Sequence, residues 1–168
     1  DPTRFETTTV DEAPSKEHIH IGCVARLAQE KGIDLLIEAV ANIPDVSLSI
    51  VGMGREKESL QRLIRKHNLS GSVTLEARKG NMGAYYKSCD IFVLPSRQHD
   101  PYGLVAAEAM MLGIPVIVTD ACGIAMQLAH AQDALVAQKN SVSSLQDSIS
   151  VLVNDVPYRQ KVAQAGQQ

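Results

Sequence analysis

The sequence predicts an α/β protein: an open, mostly parallel sheet of about six strands with helices on both faces. Three observations predict it. Strand-like and helix-like patterns alternate along the whole chain. Several strand segments, such as residues 91–94 and 116–118, are continuous apolar runs, as strands covered on both faces are. The helical segments carry apolar residues at the i, i+3, i+4, i+7 spacing of one buried face. With 168 residues, 45% hydrophobic and 21% charged, the chain has the size and composition of one soluble globular domain with a real core.

Taken in order, residues 1–17 are polar, carry Thr7–Thr9 and Pro14, and read as a lead-in. Residues 18–168 form the domain. Its first strand is 19–24, followed by a charged loop, 25–32, and a helix burying Ile33, Leu36, Ile37 and Val40. A second strand, 46–51, is closed by Gly52-Met53-Gly54. The next helix, 55–67, buries Leu60, Leu63 and Ile64 and turns Arg55, Arg62, Arg65 and Lys66 outward. A third strand, 73–75, leads through a loop to a short helix with Tyr85 and Tyr86. Strand 91–94, a helix over about 102–112 and strand 116–118 follow. Residues 120–130 give a loop and a short helix, and 134–137 a weak sixth strand. Two helices close the chain, one burying Val142, Leu145, Ile149 and Leu152, the other starting near Pro157.

In open parallel sheets ligands bind at the carboxyl ends of the strands. The unusual loops fall there: 26–31, 52–55, 77–79 and 98–103. The helix after the fourth strand is apolar all round except for Glu108, the only charged residue between Asp100 and Asp120. An all-apolar helix is expected to be buried, and an unpaired carboxylate in it would be costly. Glu108 therefore needs a partner, either a ligand or a backbone amide or arginine. Asp100, on the loop before the helix, is the nearby acid, or else an ordinary turn residue before Pro101. Gly103, Leu104 and Val105 open the helix, where N–H groups and the helix dipole favour an anion. Arg26 and Lys31 share the first strand–helix loop and can neutralise a phosphate. Acids, cations and a helix start together suit a ligand with both phosphates and hydroxyls.

Other classes are disfavoured. Net charge −3 gives no electrostatic case for nucleic acid. Cys23, Cys89 and Cys122 are widely spaced and read as reduced thiols; His18 and His20 share a strand face but stand alone, so zinc is not expected. Gly52-Met53-Gly54 follows the second strand and has Lys57 where a dinucleotide fingerprint needs a third glycine, which disfavours a nicotinamide-dependent dehydrogenase. No apolar run is long enough to span a membrane, and no signal peptide is seen.

The motifs Ala25-Arg-Leu-(x)3-Lys-Gly32, Val51-Gly-Met-Gly54, Asp90-Ile-Phe-Val-Leu-Pro-Ser96, Tyr102-Gly-Leu-(x)3-Glu-Ala-Met110 and Gly113-Ile-Pro-Val-Ile117, in this order, resemble the retaining GT-B glycosyltransferases of family 4. The resemblance is to their C-terminal, donor-binding domain. It implies a Rossmann-like domain forming one half of a GT-B enzyme, with an N-terminal acceptor domain outside this chain and residues 1–17 as the interdomain lead-in. It implies that Glu108 hydrogen-bonds the nucleotide ribose and that Asp100 contacts the donor sugar. Arg26 and Lys31 would hold the diphosphate leaving group, with Gly103 to Val105 as the helix-end phosphate contact. Tyr102, where the family often has Phe, belongs to the same donor-binding segment, and Arg78 lies where the base is placed. Departures are visible: Asp100 is one methylene shorter than the usual Glu, and Cys122 to Gln127 offers no acid where the family often has one.

The resulting expectation is transfer of a hexose-like sugar from a UDP- or GDP-sugar to an acceptor hydroxyl of a glycan or glycolipid, with retention and without a metal or other cofactor. The setting would be bacterial surface glycan or lipopolysaccharide synthesis, in the cytoplasm, with any membrane contact peripheral on its inner face. The alternative is a degenerate, non-catalytic nucleotide-sugar-binding subunit.

Overall fold

The computed structural model describes residues 18–77, 80–98, 100 and 103–168. The lead-in 1–17 lies outside them. Six strands, β1 (Ile19–Val24), β2 (Val46–Val51), β3 (Val73–Glu76), β4 (Ile91–Leu94), β5 (Val116–Thr119) and β6 (Leu135–Ala137), form one sheet in the order β3-β2-β1-β4-β5-β6. All five pairings are parallel. The order reverses between β1 and β4, and such a switch point opens a crevice at the strands' carboxyl ends. The loops after β1 and β4 carry Arg26, Lys31 and Asp100.

Each face of the sheet has its own core. Ile91 and Val93 point into one with Ile19, Ile21 and Ile117, under α1 (Ile33–Val40), α2 (Lys57–Lys66) and α5 (Val142–Asn154). Phe92 and Leu94 point into the other with Val116 and Val118, under α3 (Met82–Ser88) and α4 (Leu104–Met111). Two covered faces are the reason the strands read as unbroken apolar runs. Leu145, Ile149 and Leu152 of α5 are fully buried, each contributing about 1.5–3 kcal/mol relative to exposure. Ser141 caps that helix by accepting the Ser144 N–H at 3.0 Å. The last helix is α6 (Val156–Gln167), capped by Asp155 with Pro157 in its first turn.

Three expectations are corrected. Helix α4 is not buried all round: Ala106, Ala109 and Met110 face the sheet, while Leu104 is 64% and Met111 73% exposed. Glu108 is exposed as well, so burial does not force a partner on it. His18 precedes β1 rather than sharing its face, and the His20 ring is held by hydrogen bonds within the sheet. Its ring nitrogens lie 2.8 Å from Ser49 Oγ and 3.0 Å from the Ser88 carbonyl. Leu63 and Val142 are half-buried rather than buried. The three cysteines are buried and unbridged, and no helix of the described residues is long and apolar enough to cross a membrane.

Candidate functional site

A cleft of about 620 Å³ opens at the carboxyl ends of β1, β2 and β4. Arg26, Lys31, Asp100 and Glu108 all line it, together with the α4 start, Gly103 to Val105. Met53, Met82 and Tyr86 supply much of its apolar wall. Arg78 and Tyr102 lie outside the described residues.

The β1 loop is fastened on two sides, which fixes where its cations stand. Toward β2, the Leu27 N–H donates to the Met53 carbonyl at 2.9 Å and the Glu56 N–H to the Leu27 carbonyl at 2.9 Å. This approach needs glycine, since a Cβ at Gly52 would strike the Ala25 carbonyl and one at Gly54 the Leu27 carbonyl. The Gly-Met-Gly sequence is thus explained by loop packing. Toward β4, Gly32 adopts φ +66°, and a Cβ there would enter the Pro95 carbonyl. Arg97 completes the fastening. Its backbone N–H donates to the Glu30 carbonyl at 2.8 Å. Its guanidinium donates to the Gln29 carbonyl at 2.7 Å, Asp34 Oδ2 at 2.7 Å and Asn140 Oδ1 at 2.9 Å.

Asp100 is the hub of the cleft floor. Its Oδ2 accepts from Lys31 Nζ at 3.0 Å and from the buried Ser96 hydroxyl at 3.3 Å. Its Oδ1 accepts the Gly103 N–H at 3.2 Å, so it also caps the entry to α4. Its backbone is bound to the loop after β5, with N–H to the Ala121 carbonyl at 3.0 Å and C=O accepting from Gly123 at 2.7 Å. The Lys31 and Asp100 side chains are only 20% and 14% exposed, so this pair is less screened than a surface one. Arg26 differs: its side chain is 73% exposed and meets Glu30 at 3.3 Å, a pair worth little.

Gly103 has φ +55°, and a Cβ there would crowd Ile124 Cγ2 at 2.8 Å. Only glycine fits that left-handed, hemmed-in position. The first-turn N–H groups of α4 have no helical carbonyl partners, and Leu104 and Val105, which carry two of them, line the cleft.

The partner of Glu108 is Tyr86, whose hydroxyl donates to Oε2 at 2.7 Å. Burial, then the Glu108 carboxylate itself, pushes the Tyr86 phenol well above its ordinary range, so it remains a donor. Neither Tyr86 nor Arg97 was singled out in the sequence. A tyrosine on a short helix reads as core, and an arginine after a strand as solvated. Among the described residues no group of three or more His, Cys, Asp and Glu could hold a metal ion.

The family model for glycosyl transferases group 1 matches residues 5–168. The chain is 29% identical over 143 residues to the lipopolysaccharide core biosynthesis glycosyltransferase LpsE of Rhizobium meliloti, covering 85% of this chain and 42% of LpsE. The chain spans about two-fifths of the length of the curated relatives it matches. Its fold is that of the C-terminal domain of the group 1 protein LpcC from Francisella tularensis, with TM-score 0.82, 24% identity and 89% and 82% of the two chains covered. HepE of Anabaena, solved with UDP-glucose, shares the fold at TM-score 0.85 and 24% identity, over 90% of this chain and 43% of HepE. The six-stranded parallel sheet, with its cleft at the switch point, is the fold of a GT-B type C-terminal domain. The chain belongs to the group 1 glycosyltransferases.

Proposed function

We propose that this domain binds the nucleoside diphosphate sugar of a retaining, family 4 type glycosyl transfer. One observation carries the reading: a single cleft joins two cations, a helix N-terminus and a carboxylate able to accept from hydroxyls. Glu108 accepts from the ribose, and the resemblance to family 4 gives contact with the base to Arg78. Lys31, Arg26 and the α4 start at Gly103 to Val105 receive the diphosphate, Leu104 and Val105 through their N–H groups and Gly103, whose N–H holds Asp100, through the close approach its missing side chain allows. As the anomeric C–O bond breaks, charge grows on the departing diphosphate, where these donors lower the barrier most. No metal is needed for that charge. Asp100 lies beside the sugar-bearing phosphate, with Tyr102 in the same segment. The acceptor hydroxyl, on a glycan or glycolipid, attacks the face the diphosphate leaves and gives its proton to the departing phosphate oxygen, so configuration is retained.

A UDP- or GDP-sugar is the donor class this arrangement suits, and synthesis of a bacterial surface glycan or lipopolysaccharide is its setting. Kinship with a lipopolysaccharide core transferase supports the setting. The acceptor site belongs to an N-terminal domain, and the protein works in the cytoplasm, peripheral to the inner membrane where it meets a lipid-linked acceptor. A second reading has one observation in its favour. Lys31, Ser96 and Gly103 already engage both carboxylate oxygens of Asp100, as suits a subunit that binds donor without transferring it.

Titration calorimetry with UDP-, GDP- and ADP-sugars tests the proposal. Binding of at least one donor in the micromolar to millimolar range is expected, weakened about tenfold or more in Glu108→Ala. A folded chain that binds none of them would sink the donor reading. Donor binding by a full-length enzyme that neither transfers nor hydrolyses the sugar would favour the second reading.

A further inference from the structure

We propose that Tyr86 is a positioning residue that holds Glu108 ready to read a ribose hydroxyl, making the cleft selective for ribonucleotides over deoxyribonucleotides. The inference rests on the reading of Glu108 as the ribose acceptor. Glu108 lies on the exposed side of α4. A glutamate there has three torsions to restrain before it can serve as a fixed acceptor. Tyr86 supplies the restraint from a different helix, 22 residues earlier, through its 2.7 Å bond to Oε2.

The tyrosine is itself immobile. It is 2% exposed. Its ring meets Phe92 edge-on, with centroids 5.5 Å apart, and touches Tyr85 at 6.1 Å. Tyr85 is locked in turn, donating to the Ser49 carbonyl at 2.9 Å and accepting the Cys23 N–H at 3.2 Å. The chain of fixed contacts therefore runs from the sheet through two aromatic rings to one carboxylate oxygen. With Oε2 engaged, Oε1 is the oxygen left to accept from a ligand hydroxyl. A preorganised acceptor contributes more to binding than one that must first be ordered.

The test uses Tyr86→Phe in the 168-residue chain. The ring contacts to Phe92 and Tyr85 survive, and the exposed Glu108 is left in water rather than buried without a partner, so the variant folds. Calorimetry measures UDP, GDP and ADP, each beside its 2′-deoxy counterpart, on wild type, Glu108→Ala and Tyr86→Phe. Wild type is expected to prefer the ribo form of its best ligand about tenfold or more. Glu108→Ala brings that ratio close to one. Tyr86→Phe lowers it about threefold to tenfold and leaves the deoxy affinity unchanged. If Tyr86→Phe keeps the wild-type ratio, or weakens both forms equally while Glu108→Ala erases the ratio, Tyr86 has no positioning role and the Glu108 reading stands. A wild-type ratio of one, or one that survives in Glu108→Ala, overturns the ribose reading and this inference with it.

Discussion

At the scale of single residues, the informative side chain is Asp100, because its geometry couples two roles that sequence keeps apart. Its place before α4 suggests an acid for the sugar alone, so that losing it would spare free nucleoside diphosphate. The 3.0 Å bond to Lys31 removes that independence. Arg26, Lys31, Asp100 and Glu108 sum to zero formal charge in the cleft. Asp100→Asn makes the sum +1 while its amide oxygen still accepts from Gly103. Two unit charges about 6 Å apart in a water-like dielectric interact by about 0.7 kcal/mol, or about threefold in affinity. Asp100→Asn is therefore expected to tighten free nucleoside diphosphate by about threefold or more at low salt, with the gain shrinking in 0.5 M salt. Calorimetry at two salt concentrations measures this, and a weakened, salt-independent affinity would contradict it.

At the scale of elements, the loop after β1 and the loop after β4 act as one unit, and Arg97 is the fastening. Arg97→Ala removes the donor to the exposed Gln29 carbonyl and Asn140, which water replaces in part, at a net cost of about 0.5–1.5 kcal/mol in urea unfolding. The Asp34 part of that cost is small, since its carboxylate is 39% exposed. Arg97→Lys restores little, because an ammonium cannot reach three acceptors from one plane. Full recovery with lysine would argue against the fork. The strands were legible because apolar runs between turn residues have few alternatives: β1, β2 and β4 fall where expected. Helix α4 was misjudged for a physical reason. Apolar composition says which residues could be buried, whereas packing buried only one side of the helix and left Leu104 on the cleft rim. The cleft's Arg26, Lys31, Asp100, Gly103 and Glu108 were legible because strand-end loops in such sheets converge. Tyr86 and Arg97 were not, because their partners lie 22 and 63 residues away and no local spacing encodes that.

At the scale of the whole molecule, both cores store titratable groups that must stay neutral, which makes the fold sensitive to alkali. Cys23 lies in the core beneath α1 and α5, and burial, with Cys89 adding, pushes its thiol from 9.0 to about 12. Cys122, in the other core, is raised chiefly by burial, as are the Tyr85 and Tyr86 phenols. Each group keeps its proton longer folded than unfolded, so above the unfolded value the unfolded chain binds fewer protons. Stability is then fully present below about pH 9 and falls as pH rises, by about 1.4 kcal/mol per pH unit for each group in its window. The thiols begin the loss near pH 9, and the phenols steepen it from about pH 10, their ordinary value. Urea midpoints measured from pH 7 to 11 should be level to about pH 8.5 and then decline with rising slope. Cys23→Ala is expected to lower stability at pH 7 through the cavity it leaves, yet to flatten the decline between pH 9 and 10. A parallel decline in that variant would place the alkaline sensitivity elsewhere, since the substitution removes the Cys23 linkage and its contribution to the raised Tyr85 phenol.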